Sequence, residues 1–143
     1  MIQCKNVYKS FADKTVLSGV NFDIPSGEIF GLLGPSGAGK TTLIKILTGQ
    51  LSFEAGSVIT LGEKVERLTG EDKRNIGIMM DEFGVYERFS CVENLQIFAD
   101  IYGIPHSKIK QTLEMVGLQD AMRKPAMNLS KGMRTRLQLA RVF

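Results

Sequence analysis

Hydrophobic and polar positions divide this chain into two regimes. The first is strand-like. "IQCKNVYKSF" is β-prone and partly alternating, and "TVLSGVNFDI" alternates through Val16, Val20, Phe22 and Ile24 before Pro25-Ser26-Gly27 closes it as a turn. "EIFGLLG" is a short continuous apolar run, the pattern of a strand buried on both faces of a parallel sheet. "TTLIKILTGQ" places Leu43, Ile44, Ile46 and Leu47 at near-helical spacing, and Gly49 ends it. "GSVITLG" predicts another strand, Thr69-Gly70-Glu71-Asp72 a brief helix, and "NIGIMM" a second buried strand.

After Met80 the period changes. Ser90 and Glu93 have the spacing of a capping box, and Val92, Leu95, Phe98, Ala99 and Tyr102 follow on one helical face. Gly103-Ile104-Pro105 breaks this helix, and Ile109, Leu113 and Val116 mark a second, ended by Gly117. The prediction is a β-rich core over residues 1–80 and a helical subdomain over 81–143, with no linker-like stretch between them. Internal repeats and low-complexity tracts are absent.

Composition adds limits. A chain of 143 residues with 43% hydrophobic and 23% charged positions suits one globular domain. Net charge is +3, too small an excess to argue for a nucleic-acid partner. The basic positions gather late, at Arg123, Lys124, Lys131, Arg134, Arg136 and Arg141, and the default expectation for such a run is a solvated helix face. Cys4 and Cys91 lack metal-ligand spacing and fit buried thiols in a reducing compartment. The opening residues carry no apolar secretory core, and no run approaches the roughly 18 apolar residues of a membrane span. The expected location is therefore cytoplasmic, unless another subunit carries the chain to a membrane.

Candidate chemistry sits between the apolar run and the first helix. "GPSGAGKT", Gly34, Pro35, Ser36, Gly37, Ala38, Gly39, Lys40 and Thr41, matches G-x-x-x-x-G-K-[ST] and is followed by Thr42. A phosphate chain needs several inward-pointing backbone N–H groups, so the glycines must let the backbone curl. The helix that begins near Lys40 aims its positive dipole end at the anion. Lys40 supplies a point charge for the β- and γ-phosphates and is the candidate catalytic residue, while the Thr41 hydroxyl suits Mg²⁺. The motif implies a nucleoside triphosphate without saying which one.

"LSKGM" at Leu129–Met133, followed by "RTRLQLAR", resembles the signature of the ATP-binding domain of ABC transporters, and the resemblance covers the whole chain. It implies an α/β fold, the P-loop nucleoside triphosphate hydrolase fold of ABC type, with ATP and Mg²⁺ as cofactors. It also implies a transmembrane permease subunit, a second ATP-binding domain in a head-to-tail dimer, and a peripheral location on the cytoplasmic side of the cell membrane. Phe11 stands where the family stacks an aromatic on adenine, although the residue alone fits an edge-strand Phe equally; Val16 stands where the family packs an apolar side chain by the same base. Asp81 occupies the place of a Mg²⁺-ligating glutamine, with Glu82 next if the register slips. Ser130 is implied as both helix N-cap and ligand of a partner's γ-phosphate, and Gly132 as the point of close backbone approach. Lys131 replaces a family glycine and is either a solvent-facing lysine or an extra cation near that phosphate; Met133 replaces a glutamine. "VYERFSCVENLQIFADIYG" resembles the drug- and antibiotic-export branch.

In the family the signature helix leads to the Walker B strand ending in Asp-Glu, and then to a switch histidine. The sequence stops at Phe143 before either, and His106, its one histidine, lies in the helical region. The expectation is a partial ABC domain, truncated before the Walker B strand, that binds ATP without turning it over. Its parent would be an ATPase coupled to transport, with a soluble ABC-type ATPase of translation or repair as the alternative. A further expectation is self-association through exposed sheet edge.

Overall fold

The computed structural model describes residues 1–79 and 84–143. Two compact units, Met1–Ile76 and Gly77–Phe143, make up the chain. Among the described residues the fold is α/β, with one antiparallel sheet and five α-helices.

In the first unit the two β-prone segments form strands, as their pattern predicts, and pair with each other as a hairpin. β1 (Ile2–Phe11) and β2 (Lys14–Ile24) pair antiparallel, with Cys4 opposite Phe22 and Phe11 opposite Lys14. β3 (Ala55–Thr60) joins the other edge of β1, placing Val58 opposite Cys4, and the two-residue β4 (Glu63–Lys64) completes the order β2-β1-β3-β4. Gly56, the second residue of β3, takes φ +101, where a Cβ would run into the Lys5 and Asn6 carbonyl oxygens of β1. Only glycine tolerates both that dihedral and that approach.

α1 (Lys40–Leu47) lies against this sheet because two of its apolar residues, Leu43 and Ile46, share a face. They pack with Cys4, Val7, Leu17, Val58, Val65 and Leu68 into one core. Thr60 ties β3 to the helix end by donating from Oγ1 to the Leu47 carbonyl at 2.7 Å. The brief helix appears as α2 (Gly70–Arg74), with a capping box between Thr69 and Asp72.

The two expected buried strands do not form. No strand pairs with Glu28–Gly34 among the described residues. Phe30 stacks on Phe22 with ring centroids 5.2 Å apart and Leu32 packs on the core, while Ile29 and Leu33 stand in solvent. A continuous apolar run states how much surface a segment can bury; it does not supply the hydrogen-bonded neighbours that make a parallel strand. Residues 75–79 likewise form no strand, with Ile76 against the core and Met79 exposed; Met80 lies outside the described residues.

The second unit is helical: α3 (Cys91–Tyr102), α4 (Ser107–Met115) and α5 (Lys131–Ala140). Ser90 and Glu93 form the predicted capping box. Gly103, at φ +68, turns the chain into α4, and the Ile104 N–H bonds back to the Ala99 carbonyl at 2.8 Å. Leu95, Leu113, Leu118, Leu129 and Leu137 meet in a core with Cys91, which burial, the largest influence, holds above the usual thiol pKa. Truncating a fully buried leucine such as Leu137 to alanine costs about 2–5 kcal/mol.

Candidate phosphate-binding loop and signature helix

The loop after Leu33 is built from backbone constraints. The Ala38 N–H donates to the Pro35 carbonyl at 3.2 Å, which curls the chain, and Gly37 takes φ +78. Gly39 precedes α1 at φ +91, and a Cβ there would press on Val16 and Leu17 at 3.0 Å. Both requirements select glycine, and the contact also places Val16 directly behind the loop. The Leu43 N–H to Gly39 carbonyl bond, 2.8 Å, starts the helix.

No side chain caps α1, and its first turn carries no acidic residue. Its leading N–H groups therefore point outward with the positive end of the helix dipole, unopposed by a local carboxylate. Lys40 folds over the loop, donating from Nζ to the Gly34 carbonyl at 2.7 Å and to the Pro35 carbonyl at 2.8 Å. Gly34, Pro35, Ser36, Gly37, Ala38 and Thr41 are exposed, while Gly39, Lys40 and Thr42 are half-buried. The donor set suits a polyphosphate: backbone amides, the Lys40 ammonium and the Thr41 hydroxyl. Among the described residues no group of three His, Cys, Asp or Glu side chains is arranged to hold a metal ion.

Phe11 ends β1, partly exposed, with Lys9 Nζ 5.2 Å from its ring centroid. Glu54 fixes this strand end: its carboxylate accepts from the Ser10 N–H at 2.8 and 3.0 Å and from Lys9 at 3.3 Å. The Ser10 N–H, first among the causes, holds the Glu54 carboxyl below its ordinary pKa. Sequence reasoning missed Glu54, because nothing in "SFEAG" marks it as a partner of a strand 44 residues earlier.

In the second unit Ser130 caps α5, its Oγ accepting from the Met133 N–H at 3.3 Å. Ser130, Lys131 and Gly132 are exposed, and open space surrounds the position a Cβ would take on Gly132. Asp81 and Glu82 lie outside the described residues.

Within the basic run Arg123, Lys124, Lys131 and Arg136 are exposed, as expected of a solvated face, but three of its arginines also reach backbone carbonyls. Arg134 donates to the Met127 carbonyl at 2.8 Å and pairs with Glu87 at 3.3 Å. Arg136 donates to the Gly117 carbonyl at 2.8 Å and the Val116 carbonyl at 3.3 Å, capping the end of α4. Arg141 lies 3.9 Å above the Phe98 ring and donates to the Gly84 carbonyl at 3.0 Å. Each guanidinium reaches a backbone carbonyl that turns and helix ends leave over, so these three charges brace the helical unit.

Asn94 was also missed. It is wholly buried on α3 and bonds to the segment 86–90 through four hydrogen bonds of 2.7–3.1 Å. The available signal was a polar residue beside Cys91, Leu95 and Phe98 on an otherwise apolar face.

Comparison with known proteins agrees with this layout. The family model described as ABC transporter matches residues 17–143. The lantibiotic transport ATP-binding protein SrtF of Streptococcus pyogenes is 37% identical over 140 residues, covering 98% of this chain and 60% of that protein. The linearmycin resistance ATP-binding protein LnrL of Bacillus subtilis (strain 168) is 34% identical over 143 residues, 97% of this chain and 46% of that one. The methionine import ATP-binding protein MetN of Clostridium acetobutylicum is 34% identical over 151 residues, 100% of this chain and 47% of that one. The chain thus spans 46–60% of the length of these relatives.

Proposed function

The chain belongs to the ABC transporter family, and from that premise we propose that it is the ATP-binding part of a transporter, holding ATP on Gly34–Thr42. The observation that carries the reading is the glycine-built loop running into the uncapped, acid-free first turn of α1 with Lys40 gathered over it. Lys40 leaves the Gly34 and Pro35 carbonyls for the β- and γ-phosphates, and Thr41 turns its hydroxyl to Mg²⁺, which neutralises phosphate charge when bound. Val16 and Phe11 form the adenine side. Asp81 is a further candidate Mg²⁺ ligand.

Residues 1–80 are the nucleotide core and 81–143 the helical subdomain with the signature. Ser130, Lys131 and Gly132 present an exposed helix N-terminus to ATP held by a second ATP-binding domain. The partners are that domain and a transmembrane permease subunit, and the chain works at the cytoplasmic side of the membrane. Among the described residues no helix is long and apolar enough to cross a membrane. Export is the favoured direction, since two relatives are named for lantibiotic transport and linearmycin resistance, while a third is named for methionine import.

On this reading the 143 residues form a partial domain that binds ATP without turnover, because the family's catalytic Asp-Glu strand end and switch histidine are not in this sequence. Phosphate release measured on the chain alone tests that point. Background rates are expected; turnover near the usual enzyme median of about 10 s⁻¹ would overturn it.

A further inference from the structure

Glu54 takes the place of a strand at the end of β1. β3 begins at Ala55, opposite Tyr8, and among the described residues Lys9, Ser10 and Phe11 pair only with Leu17, Thr15 and Lys14 of β2. On the β3 side the Glu54 N–H donates to the Tyr8 carbonyl at 3.0 Å. Its carboxylate then accepts from the Ser10 N–H at 2.8 and 3.0 Å. Main chain and side chain of one residue thus continue the ladder past the point where β3 starts.

Lys9 closes the group. Val7, Lys9 and Phe11 alternate along β1 and so share a face. At Val7 that face is wholly buried, in the core with Leu43 and Ile46 of α1. Lys9 keeps only 12% of its side chain exposed; its Nζ reaches Glu54 Oε1 at 3.3 Å and stands over the Phe11 ring, 5.2 Å from the centroid. A long side chain is thereby held between a carboxylate and an aromatic face, two contacts that restrict its rotamers. The same stretch of hairpin abuts the phosphate loop. Leu17 lies opposite Lys9, and Leu17 and Val16 are the side chains that a Cβ on Gly39 would meet at 3.0 Å.

On the reading that ATP lies on Gly34–Thr42 with its base at Phe11, we propose that Lys9 and Glu54 are positioning residues for the base. Glu54 holds the strand end in register, and Lys9 covers one face of the Phe11 ring, which leaves the other for adenine. The ammonium draws ring electron density toward itself and so favours an electron-rich purine on the opposite face. The phosphates draw on other groups: the loop amides, Lys40 and Thr41. The Lys9–Glu54 pair therefore sets affinity for the base separately from affinity for the phosphate chain.

Titration calorimetry with MgATP and, separately, with magnesium tripolyphosphate, which has the phosphates and no base, tests the pair. Glu54→Ala and Lys9→Met should each weaken MgATP binding about five- to tenfold, part of what a base–aromatic stack contributes, and should leave tripolyphosphate binding in place. Glu54→Gln, whose amide oxygen still accepts from the Ser10 N–H but carries no charge for Lys9, should lose less than Glu54→Ala. Added to Phe11→Ala, Glu54→Ala should cost MgATP little more, because it acts through the ring already removed. Equal loss of both ligands in Glu54→Ala and Lys9→Met, undiminished MgATP binding in both, or a loss that adds in full to that of Phe11→Ala would each overturn the proposal. A wild type that bound neither ligand, or a Lys40→Ala variant that bound both as the wild type does, would instead overturn the phosphate-loop reading, and the proposal with it.

Discussion

Asn94 holds Tyr86 from both sides: its Oδ1 accepts from the Tyr86 N–H at 2.7 Å while its Nδ2 donates to the Tyr86 carbonyl at 3.0 Å. The same Nδ2 reaches the Phe89 and Ser90 carbonyls at 3.1 and 2.9 Å. One buried amide therefore shapes the chain entering α3. Asn94→Leu keeps the branched shape but leaves a buried N–H and carbonyls unpaired, a change that costs about 2–4 kcal/mol. Ser90→Ala, which removes a half-buried cap, costs about 1 kcal/mol. Urea midpoints of the two variants should fall in that order; equal loss would mean that Asn94 contributes only as a space-filler.

Acid should loosen the second unit in a defined window. Glu93 accepts from the Ser90 hydroxyl at 2.6 Å and the Ser90 N–H at 2.8 Å, and these bonds, the hydroxyl first, hold its carboxyl below the ordinary value. A folded-state pKa below the unfolded one contributes stability that is complete above the unfolded value, about 4.3 for Glu, and is lost as pH falls through the lowered value. Melting temperature of the wild type should therefore drop as pH is lowered from about 4.5, and Glu93→Gln should lose part of that dependence. A variant with an unchanged acid slope would remove Glu93 from the account. In the first unit Asp72, lowered by the Thr69 hydroxyl first, acts with the same sign.

Gly56→Ala should be among the most damaging single changes in the first unit. The new Cβ meets the Lys5 and Asn6 carbonyls, which are backbone atoms of the central strand and cannot step aside. A loss above about 3 kcal/mol is expected from the clash and the positive φ together. Gly62→Ala, also at positive φ but with nothing within 4 Å, should cost only the dihedral strain, about 1–2 kcal/mol. Similar denaturation midpoints for the pair would contradict the tight β1–β3 approach.

Local signals in the sequence carried most of what they encode. Strands β1 and β2, the phosphate loop, the capping box at Ser90 and the helices on either side of Gly103-Ile104-Pro105 are all written within a turn or two of chain. What escaped was the identity of distant partners. "EIFGLLG" and "NIGIMM" have the composition of buried strands, but pairing requires a neighbour that composition does not name. The contacts of Arg134, Arg136 and Arg141 were not legible because the carbonyls they reach, at Gly84, Val116, Gly117 and Met127, lie up to 57 residues away. In the candidate site, residues 34–42 were legible from spacing and Val16 from the family resemblance, whereas Glu54 and its hold on the strand end beside Phe11 were not.

The central claim is that Gly34–Thr42 binds ATP through Lys40. Titration calorimetry with MgATP on the wild type and on Lys40→Ala tests it most directly. Saturable one-to-one binding by the wild type, weakened at least about tenfold in the variant, equivalent to about 1.4 kcal/mol, is the predicted result. Binding of equal strength in both proteins, or none in a folded wild type, would contradict it.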